Sequence, residues 1–409
     1  MGSSLLQKHS YLFSLTFIVC ALGYFVDIYD LVLFGIVRIH SLRGIGVPEE
    51  ELLDVGVYLI NFQMAGLLLG GLLWGILGDR RGRVSVLLGS ILLYSLANVA
   101  NAFVTNVETY AVLRFLAGVG LAGEVGAAIT LISEALTPEQ RGIGTAVLTS
   151  FGLLGALTAG VIGDSLSWQV AYLIGGGLGL LLLLLRMTVY ESSLFMAMKE
   201  TGIRRGDLRV LLSSKSELSK YVFCSLVGMP IWFVIGILVT FSPEIAKSLQ
   251  VTGEVTVGHA IFFCYFGLCI GDLLSGFVSQ LIRSRKKCIF ICLVWILGLV
   301  AFYCFVPGLT ATQFYVLCWA LGLGSGYWSA FITLVAESFG TNIRATVVTT
   351  VNNLVRAVVI PLTFTLQMLK DYFSLPISVF IIGVCVLTIS FFSLSKLPET
   401  FGKDLNYFQ

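Results

Sequence analysis

Gly75-Ile76-Leu77-Gly78-Asp79-Arg80-Arg81-Gly82-Arg83 joins two long apolar runs through a tight, strongly charged turn. Glycine lets helix ends approach closely, because it has no Cβ to hold them apart. Arginine in a short loop favours the cytoplasmic face of a membrane. The stretch therefore predicts two antiparallel spanning helices joined on the inner side.

Composition agrees. The chain has 409 residues, of which 57% are hydrophobic and 12% charged. Soluble domains carry about 25% charged residues, and no aqueous fold could hide this much apolar surface. The chain reads as an all-α integral membrane protein surrounded by lipid. A net charge of +2 gives no basis for a nucleic-acid partner. The first apolar run, about 11–37, is too long for a signal-peptide core and lacks a small-residue cleavage site, so it reads as the first span. Among the nine cysteines, Cys264/Cys269 and Cys288/Cys292 have metal-like spacing. No His or carboxylate cluster accompanies them, so they read as structural thiols and no metal is expected.

A helix needs about 20 apolar residues to cross a bilayer. Twelve runs qualify, at about 11–37, 57–77, 84–104, 108–132, 143–163, 168–189, 221–243, 258–282, 288–307, 312–336, 345–368 and 373–395. The one long polar stretch divides them, giving an N-terminal six-helix bundle (1–190), a cytoplasmic linker (191–220) and a C-terminal six-helix bundle (221–409). With the N-terminus inside, 19 of the 25 Lys and Arg residues fall in inner segments, and only Arg38, Arg43, Lys247 and Lys370 fall in outer loops. That imbalance predicts both termini on the cytoplasmic side. Arg114 and Arg356 are left within spans.

The bundles are related. Gly66, Gly70, Leu72, Leu73 and Gly75 recur 201 residues later as Gly267, Gly271, Leu273, Leu274 and Gly276. Ala117, Ala127, Ile129, Thr130, Leu131, Glu134 and Arg141 recur 203 residues later as Ala320, Ala330, Ile332, Thr333, Leu334, Glu337 and Arg344. Duplicated halves suit a carrier that rocks about a site near the bilayer midplane.

The charged turn resembles the signature between the second and third helices of major facilitator superfamily transporters. Within that superfamily, Gly23-Tyr24-Phe25-Val26-Asp27-Ile28-Tyr29-Asp30-Leu31 resembles the first helix of the metabolite:proton symporter family, although Ile28 replaces an aromatic. Arg114 to Glu124 is similar to its fourth helix, Glu191-Ser192-Ser193-Leu194-Phe195 to the motif after its sixth, and Asn352 to Ala357 with Pro361 to its eleventh. Leu397-Pro398-Glu399-Thr400-x-Gly402 resembles the tail of sugar and organic-ion carriers. In the second half the charged turn is degraded to Gln280-Leu281-Ile282-Arg283-Ser284-Arg285. The resemblance implies the twelve-helix, two-bundle fold, a plasma-membrane location (the inner membrane in bacteria) and a monomer without cofactor. It also implies uptake of a small carboxylate-bearing or zwitterionic metabolite, with the proton as coupling ion.

Ionisable residues within spans are costly and are functional candidates by default. Asp27 and Asp30 are three apart and are expected to share a helix face. Arg114 lies about seven residues inside the outer end of the fourth span, ~10 Å deep at 1.5 Å per residue. It is expected to face Asp27 or Asp30 across the cavity, either as a static ion pair or as a substrate-binding cation freed when a proton arrives. Glu124, deeper, either relays the proton or fixes its helix. Arg356, beside Asn352 and Asn353, has no repeat counterpart, since position 153 is Leu. It is expected to bind an anionic group with Asn353, or else to pair with Asp272, a second-choice proton site. Tyr29, Gln63, Trp232, Tyr327 and Trp328 are candidate cavity liners. Asp79, Arg83, Glu134, Arg141, Glu337 and Arg344 are expected to form a cytoplasmic gate of ion pairs that breaks as the halves rock. No histidine has an evident partner. An exporter exchanging its cargo for protons and a non-transporting membrane sensor are the competing readings. The sequence shows no Ser/His/Asp set, metal motif or phosphate loop that would support an enzyme.

Overall fold

The computed structural model describes residues 15–81, 83–124, 128, 138–187, 214–339 and 344–402, with the backbone alone at 15–16, 76, 78–81, 83, 138–146, 344–346 and 349. The first half runs α1 (Leu15–Gly44), α2 (Leu52–Arg81), α3 (Arg83–Asn101), α4 (Val107–Leu121), α5 (Pro138–Ser165) and α6 (Trp168–Arg186). The second runs α7 (Lys215–Phe233), α8 (Ser242–Ser248), α9 (Val257–Leu281), α10 (Arg285–Phe305), α11 (Ala311–Ser325), α12 (Trp328–Ser338), α13 (Arg344–Ala357), α14 (Val359–Lys370) and α15 (Leu375–Lys396).

Ten of the described segments are long and apolar enough to span a bilayer. The fourth and eleventh expected spans are the other two. The fourth starts where Asn106 caps α4 by accepting the Thr109 N–H, and most of the expected span beyond Glu124 lies outside the described residues. The eleventh is α13 followed by α14, where Thr, Asn and Arg residues lower the hydropathy. The expected linker ends early: Ser214 accepts the Glu217 N–H and starts α7 at Lys215, while 191–213 lie outside the described residues.

Helix breaks follow local chemistry. Pro230 lacks an N–H inside α7, and a π-helical segment, Val234–Val239, follows it. Pro361 cannot donate to the carbonyl four residues back, at Ala357, and its ring crowds that carbonyl. The eleventh span accordingly breaks at Val358, two residues after Arg356.

Lipid tails are as apolar as leucine, so helices associate in a bilayer through close backbone approach rather than hydrophobic drive. In the first half α1 packs on α5 and α6, and α2 on α4. In the second α9 packs on α11, and α7 on α13 and α15. The halves meet along α5–α9 and along α2 with α13 and α14. Gly66 lies against the Phe115 carbonyl and Gly70 against Val119; Gly267 lies against Trp319 and Gly271 against Leu323 in the same way. These contacts confirm the offset of 201 for α2 and α9 but set it at 204 for α4 and α11, one more than the matched letters suggest. Ala, Ile and Leu matches are weak in apolar sequence, whereas glycines in backbone contact report the true register. At that offset Arg114 corresponds to Cys318 and Glu124 to Trp328.

Candidate functional site

Helix α1 carries two buried aspartates, and they face different neighbours. At 3.6 residues per turn, three residues leave side chains about 60° apart. Asp30 lies beside Gly175 of α6, within the first half, with Arg114 and Asn98 as its polar neighbours. Asp27 faces the second half, where the Arg356 guanidinium lies 3.7 Å from its Oδ2. The expected shared face is thus divided between two environments.

Arg356 is only 3% exposed, and its Nε and Nη1 make no hydrogen bond among the described residues. The indole of Trp232 lies 5.8 Å beneath its guanidinium. Asn352 Oδ1 and both oxygens of Asp27 also lack hydrogen-bond partners among the described residues. Buried polar groups are ordinarily paired, so this concentration of unused capacity marks a polar site between the halves. Tyr24 and Tyr265 lie within the field of the pair. Asn353 faces the first half, its Nδ2 3.5 Å from the Ala122 carbonyl and packed on Gly71.

Arg114 makes no ion pair with either aspartate among the described residues, but its charge bears on Asp30, one of the two carboxylates it was expected to face. Its Nη2 donates to Asn98 Oδ1 at 2.6 Å, and its guanidinium lies 4.9 Å over the Tyr172 ring and 5.7 Å from that of Phe34. It is fully buried within the first half. Nor does Arg356 pair with Asp272, whose Oδ1 accepts the Ser329 N–H at 2.7 Å, tying α9 to α12. Glu124 is bound by both terminal nitrogens of Arg186, a buried pair joining α6 to the segment just past α4.

Three of the expected liners are occupied in packing. Tyr29 donates to the Ala171 carbonyl at 2.9 Å, Tyr327 to Val227 at 2.9 Å, and Gln63 to Leu31 at 3.3 Å. Trp328 is half-buried against Phe331. Of the expected gate, the side chains of Asp79, Arg83, Glu134, Arg141 and Arg344 lie outside the described residues. Glu337 accepts from Thr400 Oγ1 at 2.7 Å and from Arg285 at 3.5 Å. The degraded turn of the second half is itself built into this cluster. Glu399 accepts the Ser284 hydroxyl and the backbone N–H groups of Arg285 (2.9 Å) and Lys286 (3.3 Å), capping α10. Burial opposes its ionisation, but hydrogen bonds from Ser284 and from the Arg285, Phe401 and Thr400 N–H groups outweigh that and hold its carboxyl below the usual glutamate range.

Sequence reasoning missed Arg186, counted as an inner-loop cation, and Asn98, which carries no charge to draw notice. It also gave His259 no partner, whereas its Nδ1 lies 2.6 Å from Asp164. The depth of Glu124 was the available signal for Arg186, since a carboxylate that deep needs a cation.

Residues 20–364 match the family model of the Major Facilitator Superfamily. The niacin transporter of Acinetobacter baylyi is 25% identical over 360 residues, covering 80% of each chain. The 4-hydroxybenzoate transporter of Pseudomonas putida is 33% identical over 192 residues, covering 45% of this chain and 42% of that one. The chain thus spans less than half the length of some curated relatives it matches. The crystal structure of a D-xylose-proton symporter superposes with a TM-score of 0.74 at 19% identity, covering 97% of this chain and 100% of the other, a likeness of fold.

Proposed function

This chain belongs to the Major Facilitator Superfamily, a family of transporters rather than enzymes, and we propose that it imports a small carboxylate-bearing metabolite together with protons. The reading places the termini on the cytoplasmic side and the opposite, distal end outside, as the lysine and arginine distribution requires. The two bundles, 1–190 and 221–409, rock about the site between them.

The observation that carries the proposal is the Asp27–Arg356 pair, one charge from each half, both buried at the junction. At 3.7 Å it is an ion pair without a hydrogen bond, so it neutralises charge yet leaves donors unused. A proton arriving on Asp27 cancels its charge and leaves Arg356 without a counter-ion. The substrate carboxylate then takes that place, bound through the planar guanidinium fork. Arginine stays charged throughout, so it holds the cargo while a carboxylate carries the proton. Asp30, set beside Arg114 within the first half, is the second titratable carboxylate, and Asp272 a more remote third. Trp232, Tyr24 and Tyr265 supply aromatic faces. The relatives named for niacin and 4-hydroxybenzoate support this reading, because each of those compounds is a planar ring bearing one carboxylate.

Reconstitution tests it. In proteoliposomes an inward proton gradient should concentrate radiolabelled niacin or 4-hydroxybenzoate, and a protonophore should abolish accumulation. Uptake unchanged by collapse of the gradient refutes coupling. Gradient-driven efflux with no gradient-driven uptake refutes import and favours the exporter.

A further inference from the structure

The turn between α9 and α10 departs from its charged counterpart in the first half. At the offset of 201, Gln280 stands where the first half has Asp79, and Arg283 where it has Gly82. Helix α9 closes as a Schellman turn: the Ser284 N–H reaches the Ser279 carbonyl at 3.2 Å, and the Arg283 N–H that of Gln280 at 3.2 Å. The residue inside such a turn is usually glycine, because its φ is positive. Here it is Arg283, at φ +50°. A long side chain kept on a backbone shape that disfavours side chains points to a use for that side chain.

The surroundings are basic. Arg285 turns inward, donating to Ser279 Oγ at 2.7 Å and to Glu337 at 3.5 Å. Lys286 donates to the carbonyls of Leu397 and Ser395, drawing the end of α15 onto the turn. Arg283 and Lys287 are exposed, and neither side chain makes a hydrogen bond or ion pair among the described residues. Lys396 is exposed too, its Nζ 5.3 Å over the Phe392 ring. The neighbouring carboxylates are already committed, Glu399 to capping α10 and Glu337 to Thr400 and Arg285. One helical turn further into the bilayer the surface is apolar. Phe290 and Ile291 follow Lys287 at three and four residues, Phe392 precedes Lys396 by four, and all three are exposed. Phe290 packs on Phe391 of α15, ring centroids 5.3 Å apart, so the apolar surface is continuous across the two helices.

We propose that the α9–α10 turn and the end of α15 form a binding site for an anionic phospholipid. Arg283, Lys287 and Lys396 surround the headgroup phosphate, and the exposed side chains of α10 and α15 lie along the acyl chains. The apolar face favours a lipid over a soluble phosphate or an acidic peptide, neither of which would use it. The site needs neither substrate nor proton.

The full chain in detergent micelles is titrated with a fluorescent phosphatidylglycerol analogue, which unlabelled competitors then displace. Phosphatidylglycerol should compete about tenfold better than phosphatidylcholine. A basic residue near an anionic surface strengthens binding about fivefold. Lys287→Gln and Arg283→Gly should therefore each weaken phosphatidylglycerol about fivefold, and together roughly twentyfold. Arg283→Gly should also raise the thermal midpoint by about 2 °C, because glycine accepts the positive φ, whereas loss of a merely structural arginine would lower it. Lys220→Gln, which removes a cation paired with Glu217 elsewhere, should leave lipid binding unchanged. Equal competition by phosphatidylcholine, wild-type affinity in both Lys287→Gln and Arg283→Gly, or an equal loss in Lys220→Gln overturns the site. Full displacement by inorganic phosphate or by polyglutamate assigns the cations to a soluble anion or an acidic peptide and overturns the lipid. Lys287→Gln decides alone if Arg283→Gly fails to reach the membrane.

Discussion

The two halves share a backbone plan but not a charge plan. The first buries Asp27, Asp30, Arg114, Glu124 and Arg186 among its helices. At the equivalent places the second carries Cys318 for Arg114 and Trp328 for Glu124, and neighbouring Tyr327 ties its helices with one neutral hydrogen bond. Its main buried mid-span charge is Arg356, presented to the first half. Helix contact was inherited by both halves, because the glycine-to-carbonyl contacts repeat. At the junction the charges are divided, with Asp27 on one side and Arg356, the cation proposed to hold the cargo, on the other. A site that requires both halves to touch can sense their relative position.

The comparison breaks first at Glu124. Glu124→Gln strands Arg186 inside the first half and should cost about 4 kcal/mol of stability, the scale for removing one partner of a buried pair. Thermal unfolding in detergent measures it, and a loss below that of a single neutral hydrogen bond would show that the pair is not a structural brace. Next comes Arg356→Ala, which should lower substrate affinity at least hundredfold, about 3 kcal/mol, as expected for truncating one side of a buried charge pair. Arg356→Lys should recover only part of this, because a point charge cannot reproduce the fork. Binding measured by isothermal titration decides the matter.

Asp27→Asn sharpens the assignment of roles. Gradient-driven accumulation should fall about tenfold, toward the equilibrium level, while counterflow exchange of labelled for unlabelled substrate persists, because the proton step is removed and Arg356 remains. If Asp30→Asn shows that pattern and Asp27→Asn does not, the proton site lies within the first half rather than at the junction.

The smallest effects fall in the second half. Tyr327→Phe should cost about 1 kcal/mol, one hydrogen bond. Glu399→Gln should cost a similar ~1 kcal/mol through loss of the α10 cap. The Glu399 carboxyl is held below its ordinary value, so its contribution is complete at pH above the unfolded value of about 4.3 and is lost as pH falls through the lower folded value. Thermal unfolding followed from about pH 6 to pH 3 should therefore lose an acid-sensitive component in Glu399→Gln. An identical pH profile in that variant and the wild type contradicts the cap.

Much of this was legible in the linear chain. The charged turn at Gly75–Arg83, the twelve apolar runs and the repeated glycines pointed to two related bundles, because membrane thickness and backbone satisfaction leave an apolar chain few other options. Asp27, Asp30, Arg114, Glu124 and Arg356 announced themselves as charges where charge is costly. Their partners did not. Asn98, which holds Arg114, is uncharged. Arg186, which holds Glu124, sits at a helix end, where cations are commonplace. Asp164 meets the first turn of α9 across 94 residues of sequence.

The sequence alone determined that helices cross a bilayer, how they duplicate and which residues are too polar to be there by chance, since each is a matter of period, length and solvation. Only the tertiary structure decided that Asp27 looks across at Arg356 while Asp30 looks inward, and that Arg38 meets Glu244 of the other half. Which charges meet depends on the rotation and register of packed helices. A turn of about 60° or a slip of one residue changes the partner while leaving every sequence pattern intact.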